Sequence, residues 1–137
     1  MLKISRELGL FAMGGVGGLL IDTSIVQTLV SFGHCNPYLA RVPSFLVAAT
    51  FTWWWNRRYT FAARSSGRKA HAEWLHWMGL MSLGAVINYS VYALLLLNIS
   101  ALHQWPAVAA TAGSVVAMLV NFLTARGVLF RRSEVPR

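Results

Sequence analysis

The chain has 137 residues, of which 56% are hydrophobic, with twelve Lys and Arg against four Asp and Glu and a mean hydropathy of +0.53. That length bounds it to one compact unit, and that apolar share excludes an ordinary soluble core. A net charge of +8 would suit nucleic acid, but the basic residues flank apolar runs and no nucleic-acid motif accompanies them, so anionic lipid headgroups are the simpler partner.

Four stretches each supply the roughly 20 mainly apolar residues that cross a bilayer core, at about 10–32, 38–55, 77–97 and 105–125. Lys3 and Arg6 precede the first, as in a signal peptide, but the run is long and has no convincing small-residue cleavage site before Asp22. It is read as a retained helix. Gly14, Gly18 and Asp22 recur there at fourfold spacing, a small-residue stripe that delivers an acid into a helix contact. At about 1.5 Å per residue, Asp22 sits roughly 18 Å into the span, near mid-bilayer. A carboxylate there costs on the order of 2.5 to 3.5 kcal/mol, so it must face protein or a wet cavity. It either binds a polar neighbour such as Thr52, Asn88 or Asn121, or serves a functional site.

Gly33 to Pro37 forms a tight turn into the second span, which contains Pro43 and the stripe Ser44, Ala48, Thr52 and Asn56. Trp53, Trp54 and Trp55 follow, then Arg57 and Arg58 open a basic loop over about 57–73. The third span carries Gly84 and Asn88. After a turn at 98–104, the fourth carries Gly113, Ala117, Asn121 and Ala125, and ends at Arg126 with Phe130 four residues on.

The second half repeats the first. Phe11 to Val26 laid on Trp77 to Tyr92 matches Gly18 with Gly84, Asp22 with Asn88 and Ser24 with Ser90, an offset of 66. Thr52 to Phe61 laid on Asn121 to Phe130 matches Arg57 with Arg126, an offset of 69 that the loop absorbs. The predicted fold is therefore an all-α membrane protein, a single domain of four transmembrane helices built from two parallel two-helix repeats. Eleven of the twelve Lys and Arg fall on one side, leaving only Arg41 opposite, which places both termini and the central loop in the cytoplasm. Trp53, Trp54, Trp55, Trp74, Trp77 and Trp105 fall near the span ends and read as an interfacial belt.

Cys35 is alone, and His34, His71, His76 and His103 are scattered without a companion cluster of ligands, so no metal site is expected. The chain also has no Walker loop, nucleophile elbow or paired carboxylates, and neither an enzyme nor a cofactor is expected. The polar residues point elsewhere. Asp22, Asn88, Asn121, Thr52 and Asn56 could line a narrow groove able to hydrogen-bond sugar hydroxyls. Arg57 and Arg126, with Arg58 beside the first, could grip a phosphate through paired hydrogen bonds, or could only snorkel to water.

Taken together, four features resemble the GtrA-like membrane proteins: the Gly14-Gly15-Val16-Gly17-Gly18 run with Asp22, the Asn56-Arg57-Arg58-Tyr59-Thr60-Phe61 close, Gly84 with Asn88, and Asn121-Phe122 with Arg126 and Phe130. The chain departs from the family pattern at Thr52, where an asparagine matching Asn121 is usual, and in its run of three tryptophans. The resemblance implies a multipass protein of the bacterial inner membrane that flips a polyprenyl-phosphate-linked sugar for cell-surface polysaccharide synthesis. Its expected partners are that lipid, the surrounding membrane lipids, a second copy of the chain in a homodimer or other homo-oligomer, and a membrane glycosyltransferase. A non-transporting scaffold for such a glycosyltransferase and a small proton-coupled multidrug antiporter are the alternatives.

Overall fold

The computed structural model of the protein describes residues 2–64, 66–103 and 106–130. Trp105 of the expected belt and the basic residues Arg131, Arg132 and Arg137 lie outside the described residues. Every regular element among those described is helical: α1 (Leu2–Ser31), α2 (Pro37–Trp55), α3 (Ala70–Asn98) and α4 (Pro106–Thr124), with a short 3₁₀ turn at Ser100–His103. The stretches Lys3–Leu29, Ala70–Asn98 and Ala112–Leu129 are long and apolar enough to cross a membrane. The remaining long helix, α2, has 19 residues and runs on through Pro43.

Two helices are longer than their apolar runs. α1 begins at Leu2 rather than near Leu10, and α3 at Ala70 rather than near Trp77. Once a helix is nucleated, each further residue adds a hydrogen bond at little cost, so it propagates through polar residues that no hydrophobic window includes. These added turns carry Glu7 and Glu73.

α1 packs along α2 and α3 along α4, while the two hairpins touch each other more sparingly. The expected small-residue seams make the close pairings. A Cβ placed on Gly18 would meet Thr52 Cγ2 at 2.5 Å, and one on Gly84 would collide with the Asn121 carboxamide. Gly14 lies equally close to the Trp55 ring. On the facing helices Ser44, Ala48, Ala117 and Ala125 are buried. Inside a bilayer, where burial from lipid yields no hydrophobic gain, such intimate van der Waals packing is what holds helices together.

Both hairpins close in the same unusual way. α2 runs into a π-turn at Asn56–Thr60 and α4 into one at Ala125–Leu129. The i→i+5 bonds are Phe61 N to Asn56 O at 2.8 Å and Phe130 N to Ala125 O at 2.7 Å. The wider turn re-aims the residue after it, and both phenylalanines point inward. With Phe11, Trp77, Phe122, Ala125 and Leu129 they form one buried cluster that closes the loop-bearing end of the bundle.

Candidate functional site

Above that cluster, an open groove of about 290 Å³ lies between the hairpins and draws on all four helices. Its polar lining is Asp22 from α1, Thr52 from α2, Asn88 from α3 and Asn121 from α4, set among apolar residues including Leu19, Phe45 and Met81. The structure thus brings together four of the five residues expected to form the polar groove. The fifth, Asn56, does not belong to it. It is 1% exposed in the first π-turn, where its Nδ2 donates to Thr52 O at 2.8 Å and its Oδ1 accepts from Thr60 Oγ1 at 2.6 Å. Its role there is to hold the turn.

The groove residues are themselves positioned. Asn88 Nδ2 donates to Ser114 Oγ at 3.0 Å, joining α3 to α4. Thr52 Oγ1 donates to Ala49 O at 2.9 Å and accepts from Trp77 Nε1 at 3.3 Å. Asn121 is pressed against α3 at Gly84, where no other residue leaves room for its carboxamide. Asp22 is half-buried, with Oδ1 shielded from solvent. One carboxylate, two carboxamides and a hydroxyl in an apolar trough suit a ligand bearing several hydroxyl groups. No cluster of three His, Cys, Asp or Glu that could hold a metal occurs among the described residues.

At the loop-bearing end, the two matched arginines are each held by a glutamate of the opposite half. Arg126 Nε donates to Glu7 Oε2 at 2.7 Å. Arg57 Nη1 lies 3.7 Å from Glu73 Oε1, its guanidinium carbon 5.5 Å from the centre of the Trp53 ring. Glu7 also receives Arg64, through Nε at 3.2 Å and Nη2 at 3.1 and 3.2 Å. Glu73, 3% exposed, also accepts from Trp53 Nε1 at 2.9 Å and from Ser66 Oγ. The crossing is reciprocal: α1 clasps the end of the second hairpin, and α3 the end of the first. Arg58 is exposed at the same end.

These glutamates escaped the sequence reading, although a signal was present. Glu7 and Glu73 stand at the offset of 66 that relates Asp22 to Asn88, but they precede the apolar runs on which the halves were aligned. The tryptophans also differ from a simple belt. Trp77 is fully buried, Trp55 Nε1 donates to Leu10 O at 2.9 Å, and Trp74 Nε1 donates to Thr50 Oγ1 at 3.0 Å. An indole N–H inside a bundle needs a partner, and here each one ties two helices together. Trp54, by contrast, is 48% exposed.

Apolar helices of spanning length around a polar groove define a multipass membrane protein. The model of the GtrA/DPMS transmembrane domain matches residues 10–130, and the chain belongs to that family. No curated protein matches it. Membership of that family suggests a membrane protein of the lipid-linked-sugar translocase type.

Proposed function

We propose that the protein flips a polyprenyl-phosphate-linked sugar from the cytoplasmic to the outer leaflet of the bacterial inner membrane, for synthesis or modification of a cell-surface polysaccharide. The observation that carries this reading is the groove in which Asp22, Thr52, Asn88 and Asn121 converge from four different helices. In it a sugar headgroup exchanges its water for these side chains, while the prenyl tail stays in lipid. In this reading α2 is the fourth crossing, the two hairpins are parallel repeats, and the loop-bearing end with both termini faces the cytoplasm, an orientation that the one-sided basic residues support.

Arg57, 44% exposed and only loosely held by Glu73, recruits the phosphate together with Arg58. Arg126, closer to its glutamate, takes the phosphate by exchanging one anion for another. No nucleotide motif supplies energy, so the substrate gradient or a proton carried by Asp22 drives the step, and the protein is not an enzyme. Four helices enclose little volume, which favours a homodimer or a complex with the glycosyltransferase that makes the substrate. Transfer of a fluorescent polyprenyl-phosphate sugar across proteoliposomes tests the reading, and purified protein that binds the lipid without moving it sinks it.

A docking scaffold is the second reading, favoured by the exposure of Arg58, Arg68 and Lys69 at the loop-bearing end. It predicts capture of the glycosyltransferase with no transport by either protein alone. Proton-coupled drug export would instead make small cations compete with protonation of Asp22.

A further inference from the structure

A second cavity, about 200 Å³, lies at the loop-bearing end between the start of α1 and the chain leaving the first π-turn. Its chemistry-bearing lining is Lys3, Arg6, Glu7, Tyr59 and Arg64. Lys3 and Arg6 stand on the early turns of α1 and are exposed, one helical turn apart and so on one face. The Arg64 side chain is 11% exposed and bound to Glu7 by both Nε and Nη2. Arg126 also binds Glu7, so two guanidiniums share this carboxylate, while Lys3 and Arg6 line the same cavity as Arg64.

That arrangement is unbalanced. The lining carries three cations, Lys3, Arg6 and Arg64, against one carboxylate, Glu7, which is already engaged by Arg64 and Arg126. An excess of cations in a cavity of about 200 Å³, one of them fixed in place by Glu7, suits a compact anion such as a phosphate group. Tyr59 adds a hydroxyl-bearing side chain to the lining.

We propose that this cavity binds the phosphate of a lipid phosphate at the membrane surface, with Lys3 and Arg6 as its direct ligands and Arg64 as its fixed cation. It is a docking site apart from the groove and from Arg57, where a lipid phosphate is held before its headgroup enters the bundle. The assignment of the phosphate to a lipid rests on the translocase reading; the anion site does not.

The test is binding to the purified full chain in detergent at low salt, with farnesyl phosphate in one arm and inorganic phosphate in the other. Lys3→Gln with Arg6→Gln should weaken farnesyl phosphate binding about tenfold, an effect that shrinks as salt is raised. Arg68→Gln with Lys69→Gln removes the same charge from the exposed loop outside the cavity and should change binding less than about twofold. Inorganic phosphate bound by the parent protein as tightly as farnesyl phosphate would assign the site to free phosphate and overturn the lipid source. Equal loss in the two double variants, or no loss in either, would overturn the site itself. Because no transport is measured, a protein that fails to flip lipid in vesicles would refute the translocase and leave this result standing.

Discussion

Phe61 and Phe130 lie face to face, ring centroids 4.9 Å apart and planes inclined by 17°, each 1% exposed. Each is the residue that closes a π-turn. Equivalent positions of two related units can touch only beside the axis that relates them, so under the proposed duplication this stack marks the axis. The reciprocal clasps Glu7 with Arg126 and Glu73 with Arg57 then fall on either side of it. The end is closed by aromatic packing at the centre and by charge at the margins, while the polar groove stays open between the hairpins.

The stack should be the strongest single contact between the halves. Phe61→Ala and Phe130→Ala are each expected to destabilise the protein by about 3 to 5 kcal/mol. A double-mutant cycle on thermal unfolding in detergent should give a coupling of roughly 0.5 to 1.5 kcal/mol. Strict additivity would mean that the rings are neighbours without being partners.

Close helix approach makes a matched prediction at two glycines. Gly18→Ala and Gly84→Ala should each cost about 1 to 3 kcal/mol, since the new methyl must displace Thr52 or Asn121. Gly79→Ala meets nothing within 4 Å, and better helix propensity should leave stability equal or up to about 1 kcal/mol higher. Melting temperatures measured side by side decide it, and a stable Gly84→Ala variant would contradict the packing of α3 on α4.

The two arginines, equivalent in sequence, should respond unequally to lysine. Arg126→Lys loses a 2.7 Å bond to Glu7 in a half-buried setting and should cost roughly 1 to 2 kcal/mol of stability. Arg57→Lys gives up a 3.7 Å pairing on a side chain 44% exposed and should cost less than about 0.5 kcal/mol. Lipid-phosphate binding should fall about tenfold in both, because neither lysine reproduces the guanidinium fork. Unchanged binding in both variants would reduce the pair to a structural clasp.

Asp22→Asn keeps a near-isosteric, hydrogen-bonding side chain in the groove and should express and melt like the parent. Flipping in proteoliposomes should be lost if charge or protonation at this position is used in transport. Full activity would assign Asp22 to packing alone.

Orientation can be read with the native thiol. Cys35 is the chain's single cysteine and is exposed in the turn between α1 and α2. In intact spheroplasts a membrane-impermeant maleimide should label it, while a cysteine placed at Gly67 in a Cys35→Ser background should react only after the membrane is opened. The reverse pattern would invert the topology and remove the phosphate sites from the cytoplasmic face.

Composition and periodicity were enough to establish the helical membrane character, because the bilayer demands long apolar runs whose length and flanking charge are visible in one dimension. They also made the groove residues legible. A hydroxyl such as that of Thr23 can stay outside by bonding its own helix. A carboxylate or carboxamide within such a run is costly against lipid and is driven inward, and Asp22, Asn88 and Asn121 do line one groove with Thr52. Asn56 shows the limit of that logic, since inward can equally mean the hydrogen bonds of a π-turn.

Tertiary structure alone decided which groups hold one another. Glu7 and Arg126 are 119 positions apart, on helix ends that no hydrophobic pattern reaches, and they meet because the aromatic cluster draws the two hairpins together there. The burial of Trp77 and the inward turn of Phe61 and Phe130 were settled in the same way. Period and polarity tell a side chain which medium to seek, but the partner it finds depends on where the other helices lie.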